Sequence, residues 1–278
     1  MRGLLQRMAT AAIFVFIMIV GLYGSPFSFV LLFAVITGLC LWEYLNIVLD
    51  NNHRRDLLRK FIGMGVGLLP VILSALVKLG VINAPDEFIY IAAFLFSPFI
   101  FLGFIFELYT RSERPFANMA YIMLGMLYIG MPFALLYFIA FEKSYFYANT
   151  VFGILLLTWM NDTGAYLIGS MIGRRPLLPR ISPKKTWEGT VGGVLVSFLT
   201  AILLFFVLDE LQLRDWLVLA AIVSVFGTLG DLVESMLKRS FAIKDSGTLL
   251  PGHGGMLDRF DGFIFCVPFA AAYLLWLR

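Results

Sequence analysis

The sequence contains few charged residues. Asp, Glu, Lys and Arg make up 14% of its 278 residues, whereas 60% are hydrophobic and the mean hydropathy is +0.90. A typical soluble domain has roughly 25% charged residues. Because apolar stretches take up most of the chain, any active site has to be built from helix ends and short loops. The composition argues against a soluble enzyme and predicts a polytopic integral-membrane protein.

Cysteine and histidine are also scarce, with two residues of each. Cys40 and Cys266 lie in apolar runs without the spacing of metal ligands, so we interpret them as small buried side chains rather than a disulfide or redox pair. The net charge of +3 is too small to indicate nucleic-acid binding, and no nucleic-acid recognition motif is present. The lack of an internal repeat disfavours transporter folds built from duplicated halves.

Long apolar runs are abundant, and each can cross a bilayer core of about 30 Å. They predict nine transmembrane helices, near residues 8–24, 28–48, 61–79, 88–106, 117–141, 149–169, 189–208, 216–234 and 262–277. We therefore predict an all-α fold and a single integral-membrane domain over residues 1–278. Within it, residues 1–115 form N-terminal helices and residues 116–278 hold the catalytic helices and loops.

The positive charges predict the orientation of these helices. The N-terminus and the connections that follow the second, fourth, sixth and eighth helices hold 17 of the 21 Lys and Arg residues. Such residues are retained on the cytoplasmic side of a membrane. The N-terminus is therefore predicted inside and the C-terminus outside. The two most polar connections, 170–188 and 235–261, then face the cytoplasm, where nucleotides are available.

The segment from Ser235 to Gly262 differs from the rest of the chain. Its 28 residues include four cations, three carboxylates, five glycines and His253. Gly252, Gly254 and Gly255, which surround His253, permit the close backbone approach that phosphate binding requires. Because such a stretch is poor material for a hydrophobic core, we expect the chemistry here.

Carboxylates lie at the end of this segment and in the helix that precedes it. Asp258 and Asp261 precede the last apolar run with i, i+3 spacing, which lets both reach one Mg²⁺. Helix capping is a plausible explanation for one of the two, but it does not account for both together with the nearby basic residues. Asp231, Glu234 and Lys238 share one face of the eighth predicted helix. An ion pair at a solvated helix end accounts for Glu234 and Lys238, whereas Asp231 lies deeper and indicates a cavity or a partner.

The other polar connection follows Asp162, which interrupts the sixth apolar run. A carboxylate at that depth is costly when unpaired, so we predict that a metal or a cation pairs with it. The connection ends in Lys184, Lys185 and Thr186, directly before a helix start. Free backbone N–H groups and the helix dipole favour phosphate at such a position.

Three charged residues elsewhere, Glu43, Lys78 and Glu107, lie near predicted helix ends. Their side chains are long enough to reach water from the membrane. We therefore expect them to be solvated and assign them no function.

The two polar connections together form a long pattern of residues. The second contains Ser235, Lys238, Arg239, Lys244, Asp245, Pro251, His253, Gly254, Gly255, Asp258, Arg259 and Asp261, and the first contains Ile181–Thr186 and Glu188-Gly189. Over roughly residues 160–265 this pattern resembles the phosphatidate cytidylyltransferases, also called CDP-diacylglycerol synthases, and the residues of the second connection match the family's long signature.

The resemblance implies transfer of CMP from CTP to phosphatidate within the bilayer, giving CDP-diacylglycerol and pyrophosphate, with Mg²⁺ as cofactor. It implies an enzyme of the cell (cytoplasmic) membrane whose active site faces the cytoplasm. A second cation such as K⁺ and a homodimeric state are left open.

The resemblance also implies roles for individual residues. The implied catalytic residues are Asp231, Lys238, Arg239, Lys244, Asp245, His253, Asp258, Arg259 and Asp261. The implied substrate-binding residues are Ser182, Lys184, Lys185, Thr186, Ser235, Gly254 and Gly255. Our own hypothesis is that Asp231, Asp258 and Asp261, together with Asp162, hold one or two cations, and that His253 donates to a phosphate or orders the glycine turn rather than acts as a base.

Two other classes of protein remain open at this point. A polytopic enzyme that uses CTP to phosphorylate another lipid, such as a polyprenol or phytol kinase, could share part of the phosphate-binding machinery. A transporter of an anionic solute would also place charges inside helices. It has no need, however, for an Asp/Arg/Asp cluster in a glycine-rich loop.

Overall fold

The computed structural model describes residues 2–50, 54–82, 85–110, 112–142, 145–250, 252 and 254–277, and the side chains of these except 2–7, 85–96 and 142. Its helices are α1 (Arg2–Tyr23), α2 (Pro26–Val48), α3 (Arg54–Lys78), α4 (Pro85–Thr110), α5 (Pro115–Gly125), α6 (Met131–Ala140), α7 (Ala148–Ile172), α8 (Trp187–Val207), α9 (Leu213–Ile222), α10 (Thr228–Ser240) and α11 (Leu257–Ala272). Its strands are β1 (Phe141–Glu142), β2 (Tyr145–Phe146), β3 (Pro176–Leu178) and β4 (Ser182–Thr186).

The helices have the length and composition of membrane spans. Among the described residues, seven helical stretches are long and apolar enough to cross a bilayer, and Met8–Tyr23 and Ser97–Thr110 are shorter apolar helices. The chain is thus an integral-membrane protein, as its composition predicted. The number of nine spans and the orientation of the termini stay predictions.

Two features modify the predicted all-α fold. Turns of π-helix at Met126–Gly130 and Val223–Gly227 join α5 to α6 and α9 to α10, so that Leu213–Ser240 forms one continuous helical stretch. The chain also forms two short antiparallel hairpins, β1 with β2 and β3 with β4. The second hairpin carries Lys184 and Lys185, which the sequence placed in an irregular loop.

The chain packs into two compact units. The N-terminal unit comprises Met1–Tyr137 with Asp245–Leu257, and the C-terminal unit comprises Phe138–Lys244 with Asp258–Arg278. The predicted single domain, with its functional division after residue 115, stays a prediction. The residues that match the family signature are divided between the two units.

A buried ion-pair network lies in the N-terminal unit. Nη1 of Arg59 is 2.6 Å from Oδ1 of Asp56, and the same guanidinium pairs with Glu107. Nδ2 of Asn118 donates to Oε2 of Glu107 at 3.2 Å. The expectation that Glu107 reaches water is wrong, because this residue is only 2% exposed. Such a network satisfies charges that would otherwise be costly to bury.

We expect replacement of Arg59 by methionine to destabilise the protein by about 3–5 kcal/mol, because it leaves two buried carboxylates without their shared cation. Thermal unfolding in detergent measures the effect. Arg55→Met is the control, since Arg55 is exposed and, among the described residues, its one hydrogen bond is to the carbonyl oxygen of Thr110. Equal unfolding temperatures for the two variants would contradict the prediction.

Close helix packing brings the acidic residues of the C-terminal unit together. A Cβ atom on Gly193 of α8 would lie 2.7 Å from the carbonyl oxygen of Asn161 on α7. A Cβ on Gly230 of α10 would lie 2.7 Å from the carbonyl oxygen of Asp261 on α11. Small residues at helix contacts allow backbones to approach this closely in membrane proteins. Asn161 directly precedes Asp162, and Gly230 directly precedes Asp231, so each close contact lies next to one of these aspartates.

Candidate active site

Lys238 lies between two carboxylates of the C-terminal unit. Its Nζ is 2.9 Å from Oε2 of Glu234, one turn earlier on α10, and 2.6 Å from Oδ1 of Asp258, in the first turn of α11. The three side chains are largely buried, with exposed fractions of 13%, 1% and 10% in that order. The predicted i, i+4 pair is present, but the expectation of a solvated helix end is wrong. The other oxygen of Glu234, Oε1, has no hydrogen-bond partner in the described part of the chain.

A second ion pair joins Asp231 on α10 to Lys185 on β4. The preceding residue of the strand, Lys184, is exposed. Oγ of Ser235 donates to Oδ1 of Asp231 at 3.4 Å. The structure thus brings together residues from the two polar connections. Ser182, at the start of the same strand, is partly exposed.

Two more aspartates lie close to these ion pairs. Asp261 is 9% exposed, and its carboxylate is near enough to those of Asp231 and Asp162 to repel both. Oδ1 of Asp261 accepts a hydrogen bond from the backbone N–H of Gly262 at 2.7 Å. The positive charge of Arg259 acts on Asp162. The repulsion among three aspartates makes this part of the unit a favourable place for added positive charge.

The whole group, which we call the charged cluster, has more negative than positive residues. Its carboxylates are Asp162, Asp231, Glu234, Asp258 and Asp261, and its cations are Lys185, Lys238 and Arg259. Carboxylate oxygens are the ligands that Mg²⁺ prefers. Within the described residues, no three His, Cys, Asp or Glu side chains form a group that could hold a metal ion. Two of the predicted ligands, Asp231 and Asp258, are instead paired with lysines. The oxygen atoms of the cluster are of the kind that binds Mg²⁺, but metal binding itself stays a prediction.

The start of α8 adjoins the basic hairpin. Oγ1 of Thr186 accepts a hydrogen bond from the backbone N–H of Gly189 at 3.2 Å and thereby caps the helix. Oε2 of Glu188 accepts from the backbone N–H groups of Arg174 and Arg175 at 3.0 and 3.2 Å. Thr186 thus has a structural role beside the substrate-binding role that the sequence predicts. One of the N–H groups predicted to bind phosphate is occupied by the cap.

The end of α10 has a defined geometry that orients further cations. The N–H of Ile243 donates to the carbonyl oxygen of Lys238 at 2.9 Å, and the N–H of Ala242 donates to that of Arg239 at 3.1 Å. Together with the positive φ of 55° at Ala242, these two bonds form a Schellman motif. Nη1 of Arg239 donates to the carbonyl oxygen of Ile243 at 3.3 Å. The side chains of Arg239 and Lys244 are exposed.

The rest of the signature lies in Asp245–Leu257 of the N-terminal unit. Asp245 is exposed. The N–H of Leu250 donates to the carbonyl oxygen of Gly254 at 3.0 Å, which closes a tight turn, and Gly254 has a φ of 84° that favours glycine. His253 lies outside the described residues, so its role stays a prediction.

One residue that packs against this segment, Glu43, was not predicted from the sequence. Glu43 of α2 is 6% exposed, and its carboxylate accepts hydrogen bonds from the backbone N–H groups of Met256 and Leu257, both at 2.9 Å. The expectation that Glu43 reaches water is therefore wrong. The signal in the sequence was a single carboxylate inside an apolar run, which by itself names no partner.

A comparison with protein families assigns the chain. The model of the cytidylyltransferase family matches residues 5–277. The chain belongs to this family. Cytidylyltransferases are nucleotidyltransferases, so the chain is an enzyme of that class, and the family predicted from the signature is confirmed.

Similar cytidylyltransferases come from staphylococci. The phosphatidate cytidylyltransferase of Staphylococcus haemolyticus is 38% identical over 211 residues, which cover 72% of this chain and 77% of the relative. That of Staphylococcus saprophyticus is 38% identical over 204 residues, with the same two shares. That of Staphylococcus aureus strain COL is 40% identical over 174 residues, covering 61% and 65%. The family match extends beyond the charged cluster to the N-terminal helices, whose sequence alone offered only compatible hydropathy.

Proposed function

We propose that this cytidylyltransferase transfers CMP from CTP to phosphatidate and releases pyrophosphate. The observation that carries the proposal is the charged cluster, in which Lys185 and Lys238 are held against carboxylates from two helices. The names of the staphylococcal relatives supply the lipid substrate. A reaction between two polyanions requires such a concentration of cations and metal-binding oxygens.

The chemistry of the substrates explains why no strong base is required. A phosphate oxygen of phosphatidate attacks the α-phosphorus of CTP, a new P–O bond forms, and the bond between the α-phosphorus and the bridging oxygen to the β-phosphate breaks. Pyrophosphate leaves with that oxygen. The attacking oxygen is already anionic near neutral pH, so the main tasks of the protein are to align the reactants and neutralise their charge.

The aspartates of the charged cluster are the proposed metal ligands. Mg²⁺ would be held by Asp162, Asp231, Asp258 and Asp261. A second cation such as K⁺ is compatible with this proposal. When bound, the metal supplies positive charge and orientation to the phosphates. Lys185 is paired with Asp231 in this structure, and it would be available to neutralise a substrate phosphate if Asp231 served as a metal ligand.

The remaining cations would neutralise the triphosphate and the lipid phosphate. They are Lys184, Lys185, Lys238, Arg239, Lys244 and Arg259. Hydroxyl groups would come from Ser182 and Thr186 on the β3–β4 hairpin and from Ser235 on α10. Asp245, His253, Gly254 and Gly255, which the family signature includes, stay predictions.

The proposed site faces the cytoplasm, because the positive charges of the sequence orient it there. Phosphatidate has to enter sideways, since removing its acyl chains from the bilayer costs about 0.8 kcal/mol per CH₂. The proposal is compatible with a monomer or a homodimer.

The purified protein in lipid nanodiscs, given CTP and Mg²⁺, tests the proposal. We expect pyrophosphate release that depends on added phosphatidate, and α-³²P from CTP in the lipid product. Label transferred from the γ-phosphate would instead identify a lipid kinase. Counterflow of an anionic solute without turnover of CTP would identify a transporter, and either result would overturn the proposal.

A further inference from the structure

Glu43 is a buried carboxylate with no part in the proposed chemistry. It lies on α2, a helix of otherwise mainly apolar residues, and is 6% exposed. Burial of a carboxylate is costly unless hydrogen bonds compensate it. Its partners therefore indicate why the chain keeps a charge at this position.

Three donors converge on this carboxylate, all from the signature segment. Oε1 accepts from the backbone N–H of Met256 at 2.9 Å. Oε2 accepts from the backbone N–H of Leu257 at 2.9 Å and from Oγ of Ser246 at 3.0 Å. Ser246 and Met256 mark the two ends of the loop that contains the glycine turn. One side chain thus ties both ends of that loop to α2.

Two glycines of the loop make room for the carboxylate. A Cβ on Gly247 would lie 2.5 Å from Oε1 of Glu43. A Cβ on Gly255 would overlap both Oε2 of Glu43 and Oγ of Ser246. Gly255 therefore has a packing reason to be glycine in addition to the substrate-binding role predicted from the sequence.

We propose that Glu43 is a positioning residue, which fixes the two ends of the signature loop 246–257, at Ser246 and at Met256 and Leu257, through these three hydrogen bonds. The inference rests on the proposed function. A carboxylate offers only acceptors, so it matches three donors, whereas the amide of glutamine would place an NH₂ group against at least one of them. The fixed residues Met256 and Leu257 lead directly into Asp258, a carboxylate of the charged cluster.

Glu43→Gln tests the inference, with Glu107→Gln as the matched control at another buried glutamate of the same unit. We expect kcat for CMP transfer to fall about tenfold to a hundredfold in Glu43→Gln, the effect of one buried N–H left without an acceptor. Hydrogen exchange of the backbone N–H groups in peptides that cover 246–257 should become faster. Glu107→Gln should lower the unfolding temperature while exchange in this loop and kcat per folded molecule stay as in the unchanged protein.

The exchange measurement separates this inference from the proposed function. If the unchanged protein forms no CDP-diacylglycerol, the proposed function fails, whereas faster loop exchange in Glu43→Gln still supports the positioning role. Unchanged loop exchange, or loss of activity only in proportion to loss of folded protein, would overturn it. Should Glu43→Gln not fold, Ser246→Ala removes one of the three bonds. Faster exchange and a fall in kcat of about fivefold would then support the inference, and unchanged values would overturn it.

Discussion

Replacement of Lys238 by methionine is expected to abolish CMP transfer and to destabilise the C-terminal unit by about 3–5 kcal/mol. The reason is the position of Nζ between Glu234 and Asp258, at 2.9 and 2.6 Å. Without this cation, two largely buried carboxylates face each other and the nearby Asp261. Thermal unfolding and turnover of labelled CTP measure the two effects separately.

A second substitution distinguishes the electrostatic explanation from lost packing. Glu234→Gln removes one of the charges that Lys238 compensates, so the double variant Lys238→Met/Glu234→Gln should recover most of the lost stability. It should not recover activity, because the proposed phosphate contact of Lys238 is still missing. A double variant as unstable as Lys238→Met alone would contradict the electrostatic explanation.

Replacement of Asp261 by asparagine is expected to lower kcat about a thousandfold, equivalent to about 4 kcal/mol of transition-state stabilisation, if the carboxylate holds the metal as proposed. The Mg²⁺ concentration for half-maximal activity should rise as well. Stability should fall little or increase, because the change removes one of three mutually repelling carboxylates. A Mg²⁺ titration of turnover at saturating CTP is the measurement.

Asp209→Asn is the matched control for this experiment. Asp209 is an exposed aspartate of the same unit, in the connection between α8 and α9, and we expect its replacement to leave turnover and the Mg²⁺ requirement unchanged. Near-normal turnover of Asp261→Asn at limiting Mg²⁺ would show that the metal assignment is wrong. A loss of turnover with an unaltered Mg²⁺ requirement would assign Asp261 a different role.

Much of the helical architecture could be predicted from hydropathy. The run at 149–169 corresponds to α7, and the run at 189–208 corresponds to α8, each within a few residues. Prediction was poorer where charges enter a helix. The third predicted helix began at residue 61, whereas α3 begins at Arg54, because Arg59 finds its partners in Asp56 and Glu107.

The candidate site was predicted in parts. Spacing along α10 placed Asp231 and Lys238 on one face, because helical periodicity is a local property. The partners of these residues, Lys185 and Asp258, could not be derived in the same way, since they come from other elements. The buried position of Glu43 was missed for the same reason, because its three donors lie about two hundred residues further along the chain.

Composition, periodicity and a motif of short range are enough to predict a helical membrane protein of the cytidylyltransferase family. They do not predict which charges meet. The fold pairs Lys185 with Asp231, Lys238 with both Glu234 and Asp258, and Glu43 with the signature loop. The physical reason is that a buried charge must find its partner in space. Only helix packing, through close contacts such as that at Gly230, determines where that partner lies.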